Sequence, residues 1–359
     1  MEHLFATRVA EIGVQRMFEM VQQSAQMHND VMLGLLSVLS ERTTLAQVQV
    51  ELPGDGTLQP LDEYGNPLPV APSGSYQVGF PIQGGGTAWG NNRVSRALMT
   101  VEEANRNTWD ATQRDADWMT RHALAAIFDN TSWTYNDKVG PNGAKGLGDI
   151  TIQPLANSDT VVYMRRGGQA TAVDNHYLAQ AADISDSANP FPTIRTELIE
   201  HPSNSAPFVT YVPSGLVDDI GNLTEFVEIN DPDINYGLSS DTLLVNPNLE
   251  AILGPGDEIL GKTKSSNIWI VEWDFLPAGY MIAQALGGTG GPTLMMREYD
   301  AASLQGFFPE SHSPDGNLQE MRMIRFAGFG AYNRIRALAY YVGDASYAVP
   351  SGYTSPLAI

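Results

Sequence analysis

Apolar side chains recur at steps of three and four early in the chain. Phe18, Val21, Ala25, His28, Met32, Leu35 and Leu39 form one stripe, broadened by Leu33 and Leu36. This is the helical period, so residues 1–45 are expected to be mostly helical. The stripe must face the body of the chain, a neighbouring copy or an assembly partner. His28 lies within it and reads as a packed or hydrogen-bonded histidine. The pattern then changes. Val48, Val50 and Leu52 alternate as a short strand does. Turn formers follow in Pro53-Gly54-Asp55-Gly56, Pro60, Tyr64-Gly65-Asn66-Pro67, Pro69, Pro72 and Gly74, which reads as an extended arm or insertion. Tyr76, Val78 and Phe80 alternate again, then come Gly84-Gly85-Gly86 and Trp89-Gly90-Asn91-Asn92, with Val94 and Leu98 on the return. This predicts a loose two-stranded excursion over 76–99, too poor in side chains to stand alone and ordered only by lying on something else.

Residues 100–129 carry the clearest helical signal. Thr100 with Glu103 fits a capping box, and Glu102 and Glu103 suit the positive helix end. Trp109, Thr112, Ala116, Met119, Ala123 and Ile127 keep the period, and neither Pro nor Gly interrupts. Thirty residues at about 1.5 Å each span about 45 Å, a structural spine. A turn-rich crossover is expected over 130–155 and a helix near Val173–Ala182. Strands are expected at Phe208–Val212, Ile268–Trp273 and Tyr280–Ala285, and a short helix over Ser214–Ile220 that ends at Gly221. A helical stub is expected between Pro247 and Gly254. Residues 140–290 thus have an α/β texture and a core of their own. Beyond them, Thr293–Arg297, Leu304–Phe308, Leu318–Phe329 and Tyr332–Val342 read as strands, Asp315-Gly316-Asn317 as a turn, and Pro350–Ile359 as a tail.

Composition changes this picture in three ways. The 359 residues suffice for one large core or two medium ones. Only 17% are charged, while 34 Gly and 22 Pro point to long ordered arms and loops. The formal net charge of −21 argues against a protein that grips nucleic acid through its phosphates, but not against one that encloses it. An anionic lining would leave a packed duplex mobile. With no Cys there is no disulfide or thiolate chemistry. No apolar run approaches the length of a membrane span, and the start lacks the basic and apolar blocks of a secretory leader, so a cytoplasmic protein is expected.

Catalytic patterns are weak. Gly287-Gly288-Thr289-Gly290-Gly291 lacks the following Lys-Ser or Lys-Thr of a phosphate loop and leads into a strand. The six His show no metal-ligand spacing, Asp231-Pro232-Asp233 could at most touch a divalent ion at an interface, and no Gly-x-Ser-x-Gly elbow exists. The expectation is no catalytic residue, no cofactor and no resident metal. Basic residues are few but local: Arg93, Arg96 and Arg106 near the loop-to-helix junction, Arg165-Arg166, and Arg297, Arg322, Arg325, Arg334 and Arg336 near the last strands. They suit acidic surfaces of a neighbouring copy or of the chain itself.

The order of these elements, with Ile268-Trp269-Ile270-Val271 followed by Leu276-Pro277-Ala278-Gly279-Tyr280, and with Arg325-Phe326-Ala327-Gly328-Phe329-Gly330-Ala331-Tyr332-Asn333-Arg334, resembles the HK97-like major capsid proteins of tailed double-stranded DNA bacteriophages. The resemblance implies an α+β fold. Its parts would be an N-terminal helix and arm over 1–75, an extended loop over 76–99, and a spine helix with the start of a peripheral domain over 100–149. An axial domain would follow over 150–290, peripheral strands over 291–349 and a tail over 350–359. It implies hexamers and pentamers that tile an icosahedral shell around DNA, first as a precursor that expands on maturation. A portal, a separate scaffolding protein and a decoration or cement protein would be partners, and the shell would form in the host cytoplasm. Phe80, Trp89, Arg93, Arg96, Arg297, Arg325 and Arg334 would be the contacts between subunits. The four Lys (Lys138, Lys145, Lys262 and Lys264) lie outside the extended loop, so a shell without Lys–Asn crosslinks is expected. An encapsulin-type compartment around an enzyme cargo shares the fold class; a repeat-built tail protein and a soluble enzyme fit the sequence less well.

Overall fold

The computed structural model describes residues 8–52, 60–67, 74–91, 98–138, 146–158, 160–166, 168–169, 174–228, 258–312 and 319–357. A single helical turn, α1 (Val9–Ile12), breaks at Gly13, whose φ of 97° suits glycine, before α2 (Val14–Leu36). The stripe of α2 is buried through Met17, Val21, Ala25, Met32 and Leu36. Strands β1 (Ser40–Thr43), β2 (Gln47–Leu52), β3 (Gly74–Gly79) and β4 (Gln83–Asn91) precede the spine helix α3 (Val101–Phe128). Thr100 caps α3 by accepting from the Glu103 amide at 3.2 Å. At about 1.5 Å per residue, its 28 residues span about 42 Å.

The buried row of α3 departs from the expected one only in the first half of the helix. Thr112, Met119, Ala123 and Ile127 of the expected row are buried, but Trp109 is 61% exposed, and Ala104, Thr108, Ala111 and Asp115 face inward in the first half of the helix. The threonines tolerate burial because their hydroxyls return to the helix: Thr108 donates to the Ala104 carbonyl at 2.9 Å and Thr112 to that of Trp109 at 2.8 Å.

After α3 come a hairpin of β5 (Trp133–Asp137) and β6 (Gly148–Ile152), and the small pair β7 (Met164–Arg165) and β8 (Gly168–Gln169). Next are β9 (Tyr177–Gln180), helix α4 (Phe191–Ile199), β10 (Asn204–Val212), a 3-10 turn that runs into α5 (Val217–Gly221), and β11 (Phe226–Glu228). The chain continues through β12 (Glu258–Thr263), β13 (Ile268–Glu272), β14 (Tyr280–Gly288), β15 (Leu294–Arg297), β16 (Phe307–His312), β17 (Gln319–Ala331) and β18 (Ala337–Val342). Two expectations are corrected here. The 130–155 crossover contains the β5–β6 hairpin, and the helix expected near Val173–Ala182 is instead the strand β9, parallel to β18. The expected helical stub at Pro247–Gly254 and the turn at Asp315–Asn317 lie outside the described residues.

Seven strands form one mixed sheet in the order β11-β12-β13-β10-β14-β18-β9. Successive side chains of a strand point to opposite faces, and here both faces are covered. Val209, Tyr211, Trp269, Val271, Tyr280, Ile282, Ala337 and Ala339 pack towards α2 and α3. Phe208, Val212, Ile268, Ile270, Met281, Ala283, Leu338 and Tyr340 pack towards α4 and α5, with Phe191, Ile194, Leu198 and Ile220. Burial on both sides is why these strands read as continuous apolar runs.

The second sheet has β17 as its long central strand. Residues 319–327 of β17 pair antiparallel with β4, residues 320–325 with β16, and residues 328–331 with β15, which in turn runs parallel to β1. The excursion expected to fold on itself over 76–99 does not do so among the described residues. Strand β3 pairs backwards with β2, Val78 opposite Val48, and β4 pairs forwards with β17. The glycines explain this. Gly84-Gly85-Gly86 has no side chains to hold a hairpin, but it permits close approach: a Cβ on Gly85 would stand 2.9 Å from the Trp118 indole. The linear division at 290 is also crossed, because β18 returns to the seven-stranded sheet beside β14.

Candidate assembly surface and the residues that brace it

The last arginines act as staples. Arg325 of β17 is 3% exposed and donates from Nε and Nη2 to the two carboxylate oxygens of Asp115 on α3, at 2.6 and 2.7 Å. Asp115 is also bonded to His28 Nε2 of α2 at 2.8 Å. Asn29 Oδ1 accepts from Arg325 Nη2 at 2.7 Å and from the Phe307 amide at 2.8 Å. One buried network thus joins α2, α3, β16 and β17. Such a bidentate pair fixes both distance and angle.

Arg297 does the same elsewhere, donating to Asp137 at 3.0 Å and to the Phe80 carbonyl at 2.9 Å, which ties β15 to the β5–β6 hairpin and the segment before β4. Arg334 is buried and donates to the Asn157 carbonyl. Arg336 gathers the carbonyls of Ala285, Leu286 and Gly291 at 2.6–2.8 Å. Arg42 is bonded to Glu298.

The seven expected contact residues therefore separate. Phe80, Arg297, Arg325 and Arg334 are buried inside the chain, where the three guanidinium groups and the Phe80 carbonyl brace its own elements. Burying a guanidinium demands a partner within reach, and each of the three arginines has one within the chain. Trp89 lies near the end of β4, its backbone opposite Met321. Arg93 and Arg96 lie outside the described residues. Asp115, Asp137 and Asn29 were missed as partners. Asp115 carried a signal, since it sits four residues before Met119 on the buried face, where a carboxylate needs a cation.

One group could be considered for a metal: Asp174, Glu200 and His201, whose ligand atoms lie within 4.8 Å of one another. Its charges are already met from within. His201 Nε2 is 2.9 Å from Asp174, and Arg165 lies 3.5 Å from Asp174 and 3.3 Å from Glu200. Burial alone would raise the Asp174 carboxyl, but the His201 hydrogen bond and the charges of His176, His201 and Arg165 hold it below the usual value. Burial and the neighbouring carboxylates push Glu197 and Glu200 up. Arg165 occupies the place of a cation, so the cluster reads as an internal ion network. The glycine run at 287–291 is likewise structural. Gly288 has φ 107°, and a Cβ there would overlap the Ser203 carbonyl. Among the described residues no helix is long and apolar enough to cross a membrane.

No protein-family model matches the chain, and no curated protein matches it. Solved structures do. One described as "Mycobacterium phage Patience" superposes with a TM-score of 0.68 at 18% identity, over 98% of this chain and 94% of that one. The capsid of a native GTA particle gives 0.48 at 11% identity over 87% and 91%, and the SrpI encapsulin of Synechococcus elongatus PCC 7942 gives 0.44 at 8% over 86% of each. The first likeness, with the spine helix, the long-stranded second sheet and the seven-stranded sheet in the same chain, defines the class: the fold is HK97-like.

Proposed function

We propose that this chain is a capsid shell subunit, the major capsid protein of a tailed bacteriophage. In this reading, copies assemble into hexamers and pentamers of an icosahedral shell around double-stranded DNA, beginning as a precursor that expands on maturation. The observation that carries the reading is the likeness to a phage structure along 98% of the chain. Supporting it, the chain spends its buried arginines on internal bracing and has no convergent catalytic constellation among the described residues. The net charge of −21 suits a container whose contents must not adhere. In this reading Trp89, Arg93 and Arg96 would contact neighbouring subunits. A portal, a scaffolding protein and a decoration protein would complete the particle, which would form in the host cytoplasm.

Electron cryomicroscopy of the purified particle, with its contents assayed by nuclease treatment and absorbance, tests this. Icosahedral shells holding nuclease-protected double-stranded DNA are expected. Shells filled with protein would replace this reading with a cargo compartment, and small discrete oligomers would overturn both.

A further inference from the structure

A cleft of about 670 Å³ lies between the outer edge of α3 and the 352–357 tail. Arg114, Asp117, Trp118, Arg121 and His122 line its helix side. Its walls are fixed. Tyr347 donates to the Phe128 carbonyl at 2.7 Å, and the Ser355 amide donates to Asp129 at 2.6 Å, holding the tail to the end of α3. Neither Arg114 nor Arg121 makes an ion pair or hydrogen bond with another described residue, and both are exposed. His122 is buried beside them, and its Nδ1 donates to the Trp118 carbonyl at 2.7 Å. The Trp118 and His122 rings lie with centroids 4.0 Å apart, tilted by 36°. The cleft therefore offers two arginines without an ion pair among the described residues and an aromatic wall, against one carboxylate, Asp117.

The complementary object is on the same chain. Residues 60–67 form a turn in which every residue is exposed, Leu61 by 63% and Tyr64 by 83%. The turn holds its own shape. Asp62 accepts from the amides of Tyr64 at 2.9 Å and Asn66 at 2.7 Å and from the Asn66 side chain at 3.1 Å, and its own amide donates to the Asn66 carbonyl at 3.0 Å. A pre-shaped turn loses little entropy on binding, yet here it presents a phenol, a leucine and the Glu63 carboxylate only to solvent.

We propose that the 60–67 turn of one copy docks in the Arg114–Arg121 cleft of a second copy. Glu63 would meet the guanidinium pair, and Tyr64 would lie along Trp118. In a chain with 41 acidic and 20 basic side chains, two unpaired arginines in one fixed cleft are a scarce feature, and their match to an acidic, aromatic turn sets the partner. The inference rests on the proposal that copies of this chain associate.

The chain contains no cysteine, so introduced ones report alone. Full-length Glu63→Cys and Arg121→Cys chains are mixed, allowed to associate and oxidised mildly. A covalent dimer is expected that needs both variants and forms faster than in a control pairing Asp344→Cys with Arg121→Cys. Rates no greater than the control would overturn the proposal, as would a chain carrying both cysteines that closes only on itself. Charge reversal gives a second readout: Glu63→Arg or Arg121→Glu alone should weaken association about three- to tenfold, and the two together should restore it; additive losses would count against the contact. Particle formation is scored separately by microscopy. Shells without the crosslink sink the docking alone, and the crosslink without shells sinks the shell reading alone.

Discussion

Replacing Asp115 by alanine tests the central brace. Arg325 is 3% exposed, and the two Asp115 oxygens hold two of its donors at 2.6 and 2.7 Å. Asp115→Ala leaves a buried guanidinium with Asn29 as its remaining hydrogen-bond partner, and leaves His28 without its carboxylate. Removing one partner of a buried pair costs about 3–5 kcal/mol. At about 2.1 cal/mol/K per residue, 359 residues give an unfolding entropy near about 0.75 kcal/mol/K. The midpoint should therefore fall by about 4–7 °C. The double variant Asp115→Leu with Arg325→Met removes both charges. It loses only the hydrogen bonds to His28 and Asn29, about 1–2 kcal/mol. The double variant should thus be more stable than Asp115→Ala alone by about 2–3 kcal/mol. Urea and thermal unfolding of unassembled subunit measure this. A cost below about 1 kcal/mol for Asp115→Ala, or a double variant no better than the single one, would refute the reasoning.

Three further outcomes follow from the same structure. Glu197, raised by burial and by Asp174, binds its proton more readily folded than unfolded, so ionising it costs stability that returns as pH falls towards 4.5; Glu197→Gln should raise the urea midpoint at pH 7 and match wild type near pH 4.5. Asp174, held below its ordinary 3.8, contributes stability present above that value and lost as pH falls through its lower folded value, so an Asp174→Asn chain should show a shallower acid limb in unfolding against pH. Gly288→Ala combines a positive φ with overlap on the Ser203 carbonyl and should cost at least about 2 kcal/mol by thermal unfolding, without any change in nucleotide binding, because no phosphate loop is present there.

The parts legible in the sequence are those where local chemistry and burial agree. The cap at Thr100 and the unbroken period made α3 visible, and Phe208–Val212 and Ile268–Glu272 announced themselves because both faces of their sheet are covered. Strand β9 was hidden. Tyr177-Leu178-Ala179-Gln180 favours a helix by composition and shows no alternation, since all four residues are half-buried; pairing with β18 overrides the local preference. The pairing of β3 and β4 was equally illegible, because a glycine run signals close approach without naming what approaches. Arg325 and Arg334 stood out as scarce charges, but their direction depended on Asp115 and the Asn157 carbonyl, far away in sequence.

The cores show what the spine does. Met119, Ala123, Leu124, Ile127 and Phe128 of α3 share one cluster with Tyr211, Trp269 and Ile282 of the seven-stranded sheet and with Leu294, Met296 and Phe329 of the other. Its first half packs differently: Ala104 and Ala111 meet Met17, Val21 and Ala25 of α2, with Phe307 and Met323 from the β16–β17 ribbon. Asp115 lies between these two regions, where Arg325 crosses from the ribbon. The two sheets are therefore not independent bodies that meet at a hinge, because both are packed on the same turns of one helix. If copies of this chain rearrange within a shell, the movement has to come from what the shared cluster does not hold: the ribbon, the first half of α2 and the first half of α3. The Asp115–Arg325 pair then sets how far that part can tilt before a buried charge is uncovered.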